Sequence, residues 1–357
     1  MKDKYLIIYH KEDNDGVFSG ALFYEYLLND LHISNDLIDL LPADYNYLNE
    51  ISKEYTAELL HNTYKTILMT DISFNDIDFM KSLYDEFKNE FVWCDHHAPV
   101  IKLTNKTKLV NIPGIRDTSC SAILCVWRYL YDPFNVDYDK TPELLKVLSA
   151  WDSWTYKEKG YKFEYVKYIN IGVIKEYQLD INKIIPIITK LKYDYLNDNI
   201  NEEYNNAYLK LFYDYGNIID SYQDYINNTI IENSGDCTWK IYTGEYLNGG
   251  EPVWRSACAV FIQGSTNSTM FKSLIHNDNS DIMNGIVFKR TNNGNWTISL
   301  YNIRDYEPAL DLGGFHCGEY LKKYYNGGGH QGAAGCTVSE EQFIEILKHK
   351  ALGYENI

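Results

Sequence analysis

Short apolar runs alternate with amphipathic segments through the first part of the chain. The apolar runs, which predict strands, cover residues 5–9, 37–41, 66–70 and 91–94. The segments with apolar positions at helical spacing, which predict helices, cover residues 17–29, 50–61, 76–88 and 119–130. This alternation predicts βαβ units and an α/β fold, with a mostly parallel sheet covered by helices on both faces.

The pattern changes in the second half of the chain. Residues 179–191 and 201–228 have helical spacing with few glycines or prolines. Short strands separated by Gly- and Asn-rich turns then follow at residues 239–243, 285–289 and 296–301, with a helix over residues 317–325. We predict an N-terminal α/β domain over residues 1–195, a helical connector over 196–230 and a smaller α+β domain over 231–357.

Composition and charge narrow the classes of function. The formal net charge of −17 argues against a protein that holds long nucleic acid, because such affinity comes from Lys and Arg at the phosphates. No run approaches the roughly 18 apolar residues of a membrane span, and the N-terminal apolar run is too short for a secretory signal. The seven cysteines form no C-x-x-C pair, which predicts reduced thiols in a cytoplasmic protein.

Polar side chains follow the predicted strands at the edge where ligands bind in parallel sheets. His10, Asp13, Asp15 and Gly16 follow the first strand, and Asp71 follows the third. Asp13 and Asp15, which have one residue between them, could face two neighbouring metal ions. An Asx-rich turn that caps a helix explains each acid equally well.

The fourth strand runs directly into Asp95, His96 and His97, and a later helix ends at Asp152, between Trp151 and Trp154. Carboxylates and imidazoles with no thiolate among them are typical ligands of a divalent metal such as Mn²⁺. Cys94 belongs to the strand before the motif, so we predict that it lies in the core.

A glycine-rich segment near the C-terminus is a second candidate site. Gly327, Gly328 and Gly329 precede His330, and the small residues Ala333-Ala334-Gly335 that follow could begin a helix. Such a segment lets backbone N–H groups approach a phosphate closely. The alternative is an ordinary flexible loop after the helix.

Taken together and in this order, the motifs resemble those of the DHH family of phosphoesterases. The first motif is similar to His10, Asp13-x-Asp15 and Gly16, and Asp71, Asp95-His96-His97 and Asp152 match the other three. The GGGH and AAG pattern at residues 327–335 resembles the DHHA1 domain that accompanies the DHH domain in one large branch.

The resemblance implies a centre of two ions, usually Mn²⁺, with Mg²⁺ or Co²⁺ as alternatives. One ion would be held by His10 and Asp13 and the other by Asp15, His96 and Asp152, with Asp71 bridging the two. Two divalent cations would also neutralise the crowded carboxylates.

The same resemblance assigns roles around the ions. His97 would face the substrate phosphate and assist the leaving group, so that His97 and Asp71 are the expected catalytic residues. Asp95 would orient an imidazole without binding a metal. Gly327, Gly328, Gly329 and His330 would contact the substrate. Residues 299–302 read Ser-Leu-Tyr-Asn where many relatives have an arginine, so Arg304 is the candidate for that contact.

We therefore expect a phosphodiesterase that degrades short oligonucleotides or dinucleotides to mononucleotides, closest to the oligoribonuclease branch called nanoRNase B. The alternatives are a nucleoside-bisphosphate phosphatase, a phosphodiesterase for cyclic or linear dinucleotide signals, a pyrophosphatase and a non-catalytic nucleotide sensor. The expected partner is the short substrate alone, without long nucleic acid or membrane, and the sequence leaves a homodimer open.

Overall fold

The structure is a computed structural model that describes residues 3–104, 107–132, 138–197, 202–246, 251–263, 268–271, 274, 282–303, 315–329 and 332–353. The chain divides into two compact units, Met1–Asp220 and Ser221–Ile357. The division falls inside a long helix, Glu202–Ser234. The domain limits at 195/196 and 230/231 stay predictions.

A parallel sheet forms the centre of the first unit. Its strands are β1 (Lys4–His10), β2 (Ile38–Ala43), β3 (Tyr64–Thr70) and β4 (Phe91–Cys94). They lie in the order β2-β1-β3-β4, and every pair is parallel. The predicted α/β class and parallel sheet are confirmed.

Helices make up most of the rest of the first unit, and the last of them continues into the second. In chain order they are α1 (Asn14–Glu25), α2 (Tyr45–Glu54), α3 (Ala57–Thr63), α4 (Ile77–Phe87), α5 (Ala98–Thr104), α6 (Ala122–Tyr131), α7 (Glu143–Asp152), α8 (Phe163–Tyr177), α9 (Ile181–Leu196) and α10 (Glu202–Ser234). The single helix predicted over 50–61 is wrong. Tyr55 is extended, and the Thr56 side chain accepts a hydrogen bond from Leu59 N at 3.2 Å, which starts a new helix.

The sheet buries both of its faces, as the continuous apolar runs require. Along β1, Ile7 packs into one apolar cluster with α1, and Ile8 packs into the other with residues of α4. Every residue of α1 is buried, so this helix lies inside the unit instead of on its surface. Full burial of each large apolar side chain contributes about 1.5–3 kcal/mol, and this holds the strand ends in register.

The second unit is built on a mixed sheet. Its elements are β5 (Asp236–Tyr246), β6 (Pro252–Phe261), β7 (Asn284–Arg290), β8 (Trp296–Asn302), α11 (Cys317–Tyr325), β9 (Gly328–Gly329), β10 (Ala333–Val338), α12 (Glu340–His349) and β11 (Ala351–Leu352). The strand order is β11-β5-β6-β7-β8-β10-β9. The α+β character predicted for this region is confirmed.

The prediction that a helix starts at Ala333 is wrong. Residues 333–338 form β10, which pairs antiparallel with β8, so that Ala334 lies opposite Leu300. Cys336 and Val338 point into the core while Gly335 and Thr337 are exposed, which is the alternation of a strand covered on one face. Long-range pairing with β8 therefore overrides the weak helical preference of three small residues.

No helix in the described ranges is long and apolar enough to cross a membrane.

Candidate metal centre

Three strand ends meet at one edge of the parallel sheet. Tyr9 lies opposite Thr70, and Thr70 lies opposite Cys94. The residues that come next along β1, β3 and β4 are His10, Asp71 and Asp95, respectively. All three therefore lie at the same level of the sheet edge. This is the edge at which parallel sheets bind ligands.

The first motif turns sharply from β1 into α1. Asp13 caps the helix, because its Oδ1 accepts a hydrogen bond from Gly16 N at 2.9 Å. A Cβ at Gly16 would lie 2.1 Å from the carbonyl oxygen of His10, so only glycine allows this approach. The turn leaves His10 Nε2 3.7 Å from Asp13 Oδ2.

Asp15 lies beneath the N-terminus of α6. Its Oδ1 accepts hydrogen bonds from Ser121 Oγ at 2.5 Å and Ile123 N at 2.8 Å, and its Oδ2 accepts one from Ala122 N at 2.8 Å. A helix N-terminus presents unsatisfied N–H groups and partial positive charge, so it holds an anionic side chain well. Asp15 therefore fixes α6 against α1 as well as facing the site.

Asp71 is held in a backbone conformation that is rare for residues with a side chain. Its φ is 56°, and its N donates a hydrogen bond to Cys94 O at 3.1 Å. The side chain is 2% exposed, and Oδ1 accepts no hydrogen bond of good geometry from the described residues. A strained backbone and an unsatisfied buried oxygen together are typical of a ligand position.

Three carboxylates converge on one imidazole nitrogen. His96 Nε2 lies 3.1 Å from Asp152 Oδ2, 3.4 Å from Asp71 Oδ1 and 3.6 Å from Asp15 Oδ2. Two sets of ligand atoms, each within 4.8 Å of one another, could hold an ion: Asp15, His96 and Asp152, and Asp71, His96 and His97.

Asp95 takes no part in this convergence on His96 Nε2. Its carboxylate instead contacts its two neighbours in the motif and a side chain of β4. Its Oδ1 lies 2.7 Å from His97 Nδ1 and accepts hydrogen bonds from the backbone N–H groups of His96 and His97, while Oδ2 accepts one from Trp93 Nε1. These contacts are those expected of a residue that orients an imidazole. They also hold the pKa of Asp95 below its usual range, despite burial that opposes this.

The other carboxyls are destabilised as anions when no cation is present. Burial, and then the charge of Asp152, raise the pKa of Asp15 to about 6. Burial and the charge of Asp15 also raise the pKa of Asp71 and of Asp13. Divalent cations bound here would remove this repulsion, so the set of donors fits a metal centre.

Both imidazoles respond to the same charges. Burial lowers the pKa of His96, but the adjoining carboxylates of Asp152, Asp71 and Asp15 outweigh burial and raise it. Burial also lowers the pKa of His97, and its hydrogen bond to Asp95 more than compensates. Without metal, His96 serves as a cation among the acids. A metal would compete with that proton.

His10 lies beside Asp13 at the end of β1. Within the described structure its Nδ1 is buried and has no hydrogen-bond partner. The structure thus brings Asp15, Asp71, His96 and Asp152 together and places His10 next to Asp13. Cys94 is fully buried, and burial raises the pKa of its thiol to about 12, which makes it a core residue as predicted.

Sequence reasoning missed three residues at this edge. The ring of Tyr45, just after β2, lies 6.0 Å from that of His10 and 6.5 Å from that of His97. Arg116 donates hydrogen bonds to the carbonyl oxygens of Trp93, Val110 and Ile112, which braces β4. Ser121 binds Asp15. Only Tyr45 had a signal, since it follows a strand end.

The glycine segment forms the edge of the second sheet. Gly328 and Gly329 pair with Gly335 and Ala334. Gly329 has φ 142°, and a Cβ there would lie 2.6 Å from Ala334 Cα, whereas a Cβ at Gly328 would meet nothing within 4 Å. Arg304 and His330 lie outside the described residues, so their predicted substrate contacts, like those of Gly327, Gly328 and Gly329, stay predictions.

Comparison with solved structures decides the fold. The DHH domain of a protein assigned to a family of ribosomal proteins is similar over 98% of this chain and 86% of its own, with a TM-score of 0.54 and 14% identity. The chain has the DHH-domain fold. The fold implied by the motif resemblance is confirmed, while the assignment of individual residues to ions and substrate stays a prediction.

Other solved structures are similar over the same length at lower scores. The pGpG-specific phosphodiesterase PggH from Vibrio cholerae matches 97% of this chain and 96% of its own at 11% identity and a TM-score of 0.45. Exonuclease RecJ bound to manganese matches 98% and 89% at 12% identity and 0.47. Scores this low add nothing to the assignment of the DHH-domain fold. No protein-family model and no curated protein matches the sequence.

Proposed function

We propose that this protein is a phosphodiesterase of the DHH/DHHA1 type, dependent on two metal ions, that hydrolyses short oligonucleotides to mononucleotides. The observation that carries the proposal is the convergence of Asp15, Asp71 and Asp152 on His96 Nε2, at 3.1–3.6 Å, at the carboxyl edge of the parallel sheet. Three acids crowded around one partly buried imidazole are expected in a hydrolytic metal centre, where divalent cations neutralise them.

Asp15, His96 and Asp152 are the best candidates to hold the first ion. His96 Nε2 can bind a single ion, so the two possible groups that share it compete. In the group with His97, the Nδ1 atom of His97 lies 3.8 Å from Asp71 Oδ1 but only 2.7 Å from Asp95 Oδ1, which already engages it. In the group with Asp152, the atoms that already accept hydrogen bonds from elsewhere are the Asp15 oxygens, which cap α6.

His10 and Asp13 are the candidates for the second ion, with Asp71 shared between the two. His10 Nδ1 and Asp71 Oδ1 are both buried without a hydrogen-bond partner among the described residues. Unsatisfied buried polar atoms are costly, at about 1–3 kcal/mol each, so a ligand that engages them is expected. Oxygen and imidazole donors favour Mn²⁺, with Mg²⁺ or Co²⁺ as substitutes.

The ions would supply Lewis acidity, lowering the pKa of an attacking water molecule and neutralising charge on the phosphoryl oxygens. The chain itself would handle the leaving group. Asp95 fixes the ring of His97 through Nδ1 and raises its pKa, so that a protonated His97 could donate from Nε2 to the departing oxygen. The His97 side chain is 38% exposed, which leaves it open to a substrate.

The net charge supports the proposed substrate class. A chain with a net charge of −17 repels a long polyanion, whereas a dinucleotide or short oligonucleotide carries few phosphates, and ions in the centre would neutralise them. Among DHH-type proteins this favours the oligoribonuclease-like branch over enzymes of long nucleic acid.

The test is a substrate panel with Mn²⁺ at neutral pH. It contains oligonucleotides of two to ten residues, a nucleoside 3′,5′-bisphosphate and a cyclic dinucleotide, with products sized by chromatography. His96→Ala should lose all turnover. His61→Ala is the matched control, because His61 pairs with Glu86 on the surface, away from the strand ends.

Turnover of the shortest oligonucleotides alone would support the proposal. Preference for the bisphosphate or the cyclic dinucleotide would move the chain to the phosphatase or the signal-phosphodiesterase alternative. Nucleotide binding without turnover of any member of the panel would indicate a sensor.

A further inference from the structure

A cluster of four aromatic rings follows the end of α7. We call Trp151, Trp154, Tyr156 and Phe163 the aromatic platform. Trp151 and Trp154 stack with centroids 5.8 Å apart and planes at 29°, and Trp154 and Phe163 stack at 6.2 Å and 23°. Tyr156 packs against Phe163 at 5.5 Å. The rings support one another, so the platform is rigid.

Trp154 is the exposed member of the platform. It is 58% exposed, whereas the other three rings are partly buried beneath or beside it. An indole with one face packed on other rings and much of its surface in water offers a flat apolar area that the fold itself has not covered.

The backbone at Trp154 is also unfavourable. The residue lies just past the end of α7 with φ 57°, and its N donates a hydrogen bond to Trp151 O at 3.3 Å. Glycine is the usual residue at this position after a helix, and a bulky side chain there strains the backbone. Backbone geometry therefore disfavours a tryptophan at this place, and its contacts with the neighbouring rings leave more than half of it exposed.

The platform adjoins the metal centre through the chain. Asp152, whose Oδ2 lies 3.1 Å from His96 Nε2, is the residue between Trp151 and Ser153. Two residues span at most about 7 Å, so the backbone of Trp154 lies within that distance of the backbone of Asp152. The base and the phosphate of one nucleotide are separated by a similar distance. A base whose own phosphate lies at the metal centre would therefore be near Trp154.

We propose that Trp154 is a specificity residue whose exposed ring stacks on a nucleobase of the substrate while the neighbouring phosphate is at the metal centre. This rests on the proposed function and adds the recognised group: a planar base beside the scissile phosphate, in place of a bare phosphate chain. Stacking on an aromatic ring tolerates every base, because each has a π face. The supporting rings already hold the Trp154 ring in one orientation, so binding a base costs less side-chain entropy.

The experiment compares Trp154→Ala, Trp154→Phe and Trp154→Gly in the full chain. Trp154→Gly also relieves the left-handed backbone, so it removes the ring without backbone strain. Tyr193→Ala is the matched control, since Tyr193 is a 60% exposed aromatic residue on α9. The substrates are a dinucleotide and the same diester with one base replaced by hydrogen, assayed with Mn²⁺.

Trp154→Ala and Trp154→Gly should lower kcat/KM on the dinucleotide by about 5- to 150-fold, the range that corresponds to loss of one stacked base. Activity on the substrate that lacks the stacked base should stay within about twofold. Trp154→Phe should retain most of the wild-type kcat/KM on the dinucleotide, and Tyr193→Ala should leave kcat/KM unchanged on both substrates. Equal losses on both substrates, or no loss on either, would overturn the proposal.

A binding measurement separates this inference from the proposed function. Calorimetric titration of the protein loaded with Mn²⁺ uses AMP and ribose 5-phosphate as probes. AMP should bind more tightly than ribose 5-phosphate to the wild type, and this advantage should vanish in Trp154→Ala. If the wild type hydrolyses no diester, the proposed function fails, and the AMP titration still decides the role of Trp154. Equal binding of AMP by wild type and Trp154→Ala, or no binding by either, refutes it.

Discussion

The buried carboxyl of Asp15 should make the stability of the metal-free protein fall as the pH rises. Burial and the charge of Asp152 raise its pKa from 3.8 to about 6 in the folded chain. Below about pH 3.8 the group is protonated in both the folded and unfolded states, so it costs nothing. As the pH rises through about 6, the folded state must ionise a carboxyl that burial disfavours, and stability is lost.

The magnitude follows from the size of the shift. Each unit of pKa difference between the folded and unfolded states is worth 1.36 kcal/mol, so the shift in the pKa of Asp15 corresponds to about 3 kcal/mol. The group is fully buried, so solvent screening does not reduce this figure. In Asp15→Ala this pH dependence is absent, although loss of the cap on α6 lowers stability at every pH.

The assay is urea unfolding in EDTA at pH values from 3 to 7, comparing wild type with Asp15→Ala. The difference in free energy of unfolding should move in favour of the variant by about 3 kcal/mol across this range. Leu59→Ala is the control, since Leu59 is an exposed residue that does not titrate and should shift stability equally at every pH. With Mn²⁺ added, the wild-type trend should reverse, because metal binding favours the ionised carboxylate. A change below about 1 kcal/mol in EDTA would refute the reasoning.

Three further predictions concern the centre and the glycine segment. Asp71→Ala should abolish hydrolysis and lower bound metal by elemental analysis while circular dichroism stays native, because the proposed shared ligand is lost; activity within about tenfold of wild type with two ions bound excludes that role. Gly16→Ala should lower both the melting temperature and the metal content, since the added Cβ would lie 2.1 Å from His10 O, and wild-type values for both would show that the turn can adjust. Gly328→Val should leave the fold and the metal content intact because a Cβ there meets nothing within 4 Å, but should lower kcat/KM on a dinucleotide more than on bis(p-nitrophenyl) phosphate; equal effects on the two substrates would exclude the glycine segment as a substrate contact.

Local pattern was sufficient to predict the parallel sheet and the order of the motifs along it. The strand predicted over 91–94 and the helix predicted over 317–325 coincide with β4 and α11, because apolar periodicity and flanking polar residues define them without distant partners. The first three motifs that resemble those of the DHH family follow strand ends, which a parallel sheet brings to one edge, whereas Asp152 ends α7.

Tertiary structure decided what depends on residues far apart in the sequence. Residues 333–338 became a strand through pairing with β8, against their local preference. Asp15 caps a helix that begins more than a hundred residues later, as its bond to Ile123 N, 108 residues away, illustrates. Tyr45 lies near the rings of His10 and His97 because β2 lies beside β1. The exposed ring of Trp154 stacks on Phe163, which belongs to the next helix. Periodicity reports which face of an element is buried, but only packing determines which distant side chain lies against it.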